Sequence, residues 1–244
     1  MSLSKDELER YARQLSMPGW GPEGQERVRS ARVFLAGVGG LGCAAGVYLV
    51  TAGVGRVDVC DADAVERSNL NRQFLYTPRD VGQLKAELAR ERLAAVNPSV
   101  EVKAVPTEID HATASSLIEG ADVVVDCLDN IETRFALNRA CIAARIPMVY
   151  AAVSEWTGYL SFLSPPDTPC LECFVTRTPP PVEPATPGPT PGALGALQAM
   201  EVLKHLTGTG NVMAGKLLIL DGAGPRFDIL DVDRDPACPA CGSR

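Results

Sequence analysis

Histidine is nearly missing from this sequence: there are two among 244 residues. His111 and His205 fall in different predicted elements, so nothing suggests a catalytic histidine pair. The longest uncharged run, residues 33–55, is broken by a glycine turn into strand and helix, so no membrane-spanning helix is expected. The opening stretch, MSLSKDELERYARQ, lacks the apolar segment of a signal peptide, and a cytoplasmic location is expected. Basic excess is absent as well. The net charge of −7 argues against non-specific nucleic-acid binding. Cysteine is not scarce, with eight residues, and in a cytoplasmic chain these point to metal or chemistry rather than disulfides. Between 174 and 237, however, there is none.

The stretch RVFLAGVGGLGCAAGVYLVTAGVGRVDVCDAD, residues 32–63, organises what is present. It reads as a strand over 32–36, a glycine turn, an apolar helix over 41–52, a strand over 57–60, and then Asp61. Gly37, Gly39 and Gly42 make G-x-G-x-x-G, with Gly40 as a fourth glycine. Such a turn lets the backbone approach a phosphate, and the following helix offers free N–H groups and a positive dipole end. An acid after the second strand is placed to hold ribose hydroxyls. The unit is therefore a nucleotide site. The glycine pattern alone fits NAD, FAD and adenylate alike.

Upstream, Ser4 and Glu7 have capping-box spacing, and Leu8, Tyr11, Ala12 and Leu15 give the helix that follows one apolar face. Arg10 and Arg13 lie on neighbouring positions of that helix, where solvated surface arginines are the bland reading. A short second helix is expected near 25–29. Downstream, ERSNLNRQFLY (66–76) brings Ser68, Asn69, Asn71, Arg72 and Gln73 to the sheet edge where ligands bind. Leu70, Phe74 and Leu75 read as anchors of that loop, with the polar groups facing a cleft. A helix over 82–96 carries Lys85 in its first turn, against the dipole preference; an anionic ligand nearby would remove the objection, and an exposed surface lysine is the bland reading. Strands at 100–105, 122–126 and 147–151 alternate with helices at 111–117 and 131–144, so the sheet is mainly parallel and doubly wound. Asp129 stands beyond the carboxyl end of one strand, placed either for a ligand or to cap the next helix.

The pattern changes after about 153. A strand at 159–163 has no helix after it, and the proline-crowded 176–192 reads as a mobile crossover loop. A helix at 193–206 and antiparallel strands at 216–220 and 227–232 complete the chain. The expected organisation is one α/β, Rossmann-like domain over 1–244. It has N-terminal helices to 30, a nucleotide-binding part over 31–153, and an antiparallel extension with crossover loop and metal site over 154–244. Two C-x-x-C pairs, Cys170/Cys173 and Cys238/Cys241, have the spacing of a closed four-sulfur zinc site, structural and one per chain. Cys43, Cys60, Cys127 and Cys141 read as small buried hydrophobes.

These residues resemble the MoeB/ThiF/HesA family, relatives of the ubiquitin-activating enzymes, with MoeB the nearest in pattern. The resemblance covers nearly the whole chain. It rests on RYARQ (10–14), GVGG (37–40), DAD (61–63), SNLNRQ (68–73), GQLK (82–85), DCLDN (126–130), both cysteine pairs and LQAME (197–201). It implies ATP-dependent adenylation of the C-terminal glycine carboxylate of a small ubiquitin-like sulfur-carrier protein ending in Gly-Gly. It also implies which residues act. Gly37, Gly39 and Gly40 meet the phosphates, and Asp61, with Asp63 beside it, the ribose. Asn69, Asn71, Arg72, Gln73 and Lys85 contact the nucleotide, and Asp129 with Asn130 serves magnesium. Arg13 reaches the partner's ATP across a homodimer interface. The catalytic set is thus Arg13, Arg72, Lys85 and Asp129, with ATP, Mg2+ and structural Zn2+ as the groups bound.

One departure matters. Many relatives carry a cysteine in the crossover loop, whereas this loop reads PPPVEPATPGPTPG. Adenylation without a covalent enzyme–carrier bond is expected, with sulfur supplied by a separate protein, since no rhodanese-like segment follows Cys241. Molybdopterin, thiamin, tungsten-cofactor and cysteine or thioacid routes all use such enzymes. A relative adenylating another carboxylate, such as a peptide terminus, a small acid or a modified tRNA nucleoside, would not depend on a glycine-ended protein. A nicotinamide dehydrogenase or a scaffold would need none of Arg72, Lys85 and Asp129.

Overall fold

The run 32–36 forms strand β1 (Arg32–Ala36) because both of its faces can be buried. Val33 and Leu35 join one core cluster, while Phe34 and Ala36 join the other. The computed structural model describes residues 3–175, 185–224 and 226–242. Strands β2 (Arg56–Cys60), β3 (Glu101–Val105), β4 (Val123–Asp126) and β5 (Met148–Ser154) extend the sheet in parallel. Strands β6 (Thr157–Leu163), β7 (Lys216–Asp221) and β8 (Arg226–Asp231) add to it antiparallel. The order is β3-β2-β1-β4-β5-β6-β7-β8. The chain leaves β1 toward β2 on one side and returns to β4 on the other, so the crevice at the carboxyl ends of β1 and β4 is the switch point.

Helices cover both faces. On one lie α3 (Gly21–Ser30), α4 (Gly40–Ala52), α5 (Lys85–Val96) and α8 (Pro189–Thr207); on the other, α6 (Ala114–Leu117) and α7 (Ile131–Ala144). The central helix α4 is apolar on every side and buries nine of its residues, Leu41, Gly42, Cys43, Ala44, Ala45, Gly46, Leu49, Val50 and Ala52. The mainly parallel, doubly wound α/β reading holds, as does burial of Cys43, Cys60, Cys127 and Cys141. Among the described residues no helix is long and apolar enough to cross a membrane.

Several elements depart from the sequence pattern. The capping box at Ser4 and Glu7 forms, but the first helix breaks at Tyr11 into α1 (Lys5–Arg10) and α2 (Ala12–Leu15). Tyr11 alone of the expected apolar face is buried, and Leu8 stays 46% exposed. Helix α6 starts later than expected because the Asp110 carboxylate takes the N–H groups of Ala112 and Thr113 in a turn. Helix α8 starts earlier, at Pro189, since proline fits a first helical turn that needs no N–H donor. Residues 189–192 are therefore helix rather than crossover loop, and residues 176–184 of that loop lie outside the described set.

Candidate active site

At the end of β1 the backbone turns through Gly37 at φ +88°, where a β-carbon would lie 2.9 Å from the Cys127 carbonyl oxygen. Only glycine fits this left-handed, crowded position. In the first turn of α4, a β-carbon on Gly42 would fall 2.1 Å from the Gly37 carbonyl oxygen, so turn and helix close directly on one another. Gly39 is the N-cap and supplies no side-chain acceptor. The leading N–H groups of α4 thus remain available to an anion, at the positive end of the helix.

Asp61 follows β2 and braces this turn. Its carboxylate accepts from the Val38 N–H at 2.8 Å and from the Asp63 N–H at 2.9 Å. Burial pushes the Asp61 carboxyl upward, and the nearby positive charge of Lys85 opposes that rise. Lys85 is the first residue of α5, and its Nζ lies 2.8 Å from an Asp63 carboxylate oxygen. The side chain of Lys85 is 8% exposed whereas that of Asp63 is 72% exposed. The surface-lysine reading therefore fails. The anion beside it here is the Asp63 carboxylate, a group of the protein rather than the ligand that the dipole argument anticipates. The Tyr76 hydroxyl stands 3.0 Å from the Val38 carbonyl and 3.3 Å from the Lys85 carbonyl, tying the glycine turn to α5.

The polar segment packs beside them, with a 3-10 turn at Arg67–Asn69. Asn69 is buried and accepts from the Glu66 N–H at 3.0 Å. The Arg72 stem and Pro191 of α8 both lie against Gly40. The Arg72 guanidinium donates to the Ser68 carbonyl and the Asn71 side-chain oxygen, each at 3.1 Å. Gln73 is buried next to Gly39, and its Oε1 has no hydrogen-bond partner among the described residues. The expected alternation is partly wrong: Leu70 and Leu75 pack on the core, but Phe74 is 59% exposed while Asn69 and Gln73 are inside.

Beyond β4 the loop is fixed by groups that no periodicity singles out. Asp126 is fully buried, accepts from the Leu128 N–H at 3.0 Å, and has an oxygen 3.5 Å from the Arg134 guanidinium. Arg134 also donates to the Leu128 carbonyl and lies 5.0 Å above the Tyr150 ring. Burial pushes the Asp126 carboxyl up, and Arg134 holds it back. Gln198 of α8 donates to the carbonyls of Asp126 at 2.7 Å and Val149 at 3.1 Å. Asn130 caps α7 by accepting from the Thr133 N–H at 2.9 Å. The cap is therefore Asn130 and not Asp129. Asp129 is exposed and makes no hydrogen bond or ion pair among the described residues.

Arg13 is not gathered into this cluster. It is exposed on α2, next to Gln14, whose side chain donates to the Ala52 carbonyl at 3.1 Å. That carbonyl ends α4, about 20 Å along the helix from the glycine turn at 1.5 Å per residue.

The four cysteines of the two pairs do converge. Cys170, Cys173, Cys238 and Cys241 place their sulfur atoms within 4.8 Å of one another. The sulfur separations are 3.6 Å for Cys170–Cys238, 3.9 Å for Cys170–Cys173 and 3.5 Å for Cys173–Cys241. A tetrahedron with metal–sulfur bonds of about 2.3 Å has edges of about 3.8 Å, whereas a disulfide needs about 2.05 Å. The donor set fits a tetrahedral metal ion.

The ThiF family model matches residues 11–240. The sulfur carrier protein adenylyltransferase of Thermus thermophilus is 42% identical over 253 residues, spanning 99% of this chain and 93% of that protein. The molybdopterin-synthase adenylyltransferase of Escherichia coli is 39% identical over 245 residues, spanning 98% of each. The crystal structure of E. coli MccB with ATP superposes with a TM-score of 0.87 at 25% identity, over 96% of this chain and 73% of that one.

Proposed function

The chain belongs to the ThiF family, and from that premise we propose that it is an ATP-dependent adenylyltransferase acting on the C-terminal glycine of a small ubiquitin-like sulfur carrier. The observation that carries this is the uncapped N-terminus of α4 flanked by two cations, Arg72 and buried Lys85. A triphosphate needs such a cradle. A nicotinamide hydride site does not.

In the reaction a terminal carboxylate oxygen bonds to the α-phosphorus as the bond to the β-phosphate bridging oxygen breaks. Pyrophosphate leaves with the electron pair, and the acyl-adenylate remains. No proton moves, so the site needs placed donors and cations rather than a general base. The absence of a histidine from the cluster agrees with that. Arg72 and Lys85 hold the charge that gathers on the leaving group. Gly37, Gly39 and Gly40 let the backbone approach the phosphates, while Asp61 has lone pairs left for ribose hydroxyls. Gln73 offers an unpartnered acceptor, and Asn69 and Asn71 fix the loop that carries Arg72. Asp129, without a hydrogen-bond or ion-pair partner among the described residues, would bind magnesium beside Asn130, and that ion would neutralise phosphate charge. Arg13 acts on the nucleotide of a second subunit, a role supported by its distance from its own site. The tetracysteine cluster holds a structural zinc. The loop without cysteine supports release of a free acyl-adenylate to a separate sulfur donor, in the cytoplasm.

The test is mass spectrometry of a Gly-Gly-ended carrier after incubation with enzyme, ATP and magnesium. The carrier should gain AMP, and no thiol-sensitive enzyme–carrier adduct should appear on a non-reducing gel. AMP on a small acid or another peptide, with none on any carrier, would replace the carrier as substrate.

A further inference from the structure

Between the first two sulfur ligands stands a carboxylate that a closed four-sulfur shell does not use. Glu172 follows Leu171 in a 3-10 turn, Leu171–Cys173, that has no side-chain cap of its own. So short a turn is weakly held by its own hydrogen bonds. Four thiolates around a divalent cation carry a net negative charge, and a carboxylate beside them is unfavourable unless neutralised. Yet the Glu172 side chain is only 3% exposed.

Helix α7 accounts for it. Arg139 grips Glu172 with both ends of its fork: Nε donates to Oε1 at 2.8 Å and Nη2 to Oε2 at 2.8 Å. Asn138, 2% exposed, donates to the same carboxylate at 3.3 Å and accepts from the Leu171 N–H at 3.1 Å. Ile142, one turn on, packs against the cysteine cluster. Two consecutive residues of one helix thus hold the backbone and the side chain of the knuckle. We propose that Asn138 and Arg139 are positioning residues for the metal: through Leu171 and Glu172 they lock the Cys170/Cys173 knuckle onto α7, and metal retention depends on that lock. The proposal rests on the reading of the four cysteines as a metal site. It also makes α7 a strut with the metal knuckle at one point and the Asn130 cap, beside Asp129, at its start.

The experiment measures zinc release from the full-length protein to a chromogenic chelator, together with the visible spectrum of the cobalt(II)-substituted protein. The variants are Arg139→Ala, Arg139→Lys, Glu172→Gln and the double Arg139→Ala/Glu172→Gln, with folding followed by circular dichroism. Zinc should leave Arg139→Ala and Glu172→Gln about 10- to 100-fold faster, on the scale of the affinity lost when outer-shell partners of metal ligands are removed. Arg139→Lys, which keeps the charge but loses the fork, should fall between. The double variant should be no faster than the faster single one, and the cobalt bands should shift in both single variants. If Arg139→Ala does not fold, Glu172→Gln and Arg139→Lys decide. Release within twofold of the parent with unshifted bands would overturn the lock. A parent protein that binds neither zinc nor cobalt, like its Cys170→Ser variant, would instead overturn the metal reading itself, and the lock with it.

Discussion

Lys85 is buried while its partner Asp63 is mostly in water, and its positive charge also offsets the burial of the Asp61 carboxylate. Replacing Lys85 by alanine leaves Asp63 solvated but takes that offset away from Asp61. The unfolding temperature should therefore fall. ATP–pyrophosphate exchange should fall by about a hundredfold or more, the scale for removing one charge-stabilising group from a reaction centre. Arg72→Ala should lower exchange alike. A second prediction concerns the thiols of the sheet. Burial pushes Cys43 and Cys60 up to about 12, and Cys127 and Cys141 upward as well. With a pKa of about 12 the thiolate fraction at pH 8 is about 10⁻⁴, too little for ready attack. A thiol reagent at pH 8 should spare these four in the folded, metal-loaded protein. After chelation, the cysteines of the tetracysteine cluster should become the reactive ones. Fast labelling of the sheet cysteines before unfolding would contradict the packing described for them.

Among the elements, α7 divides two neighbouring side chains between structure and chemistry. Asn130→Ala removes an N-cap and should cost about 1 kcal/mol in denaturant unfolding. Asp129→Ala removes nothing the fold uses, so its stability should match the parent while exchange is lost. The reverse pattern would assign the cap wrongly. Not every element is equally legible in the sequence. Helix α4 was readable because its glycine spacing and unbroken apolar run have one physical solution, and Lys85 stood out because it violated the dipole preference. Arg134 gave no such signal. Its partners, Asp126, Leu128 and Tyr150, come from the end of β4 and from β5, and only the folded sheet brings them under one guanidinium. Phe74 and the start of α8 depart from the sequence pattern for local reasons. The loop turns its polar Asn69 and Gln73 inward, and prolines that mark a loop in sequence also suit the first turn of a helix.

At the scale of the whole molecule, Arg13 lies too far from its own glycine turn to serve it, which gives the proposed dimer a direct test. Arg13→Ala and Lys85→Ala subunits should each be inactive alone. Mixed and allowed to exchange, they should recover about a quarter of parental activity, because half the dimers are hybrids and each hybrid has one intact site. No recovery would place Arg13 outside the partner's reaction.

The cradle at α4, Arg72 and Lys85 is proposed to activate a glycine-ended carrier with ATP. The most direct measurement is ATP–pyrophosphate exchange with purified protein, magnesium and a panel of Gly-Gly-ended carriers. Exchange that requires one carrier and disappears when its last glycine is removed is the predicted result. Bound ATP without exchange for any carrier would contradict the carrier as substrate, and failure to bind ATP would contradict adenylation itself.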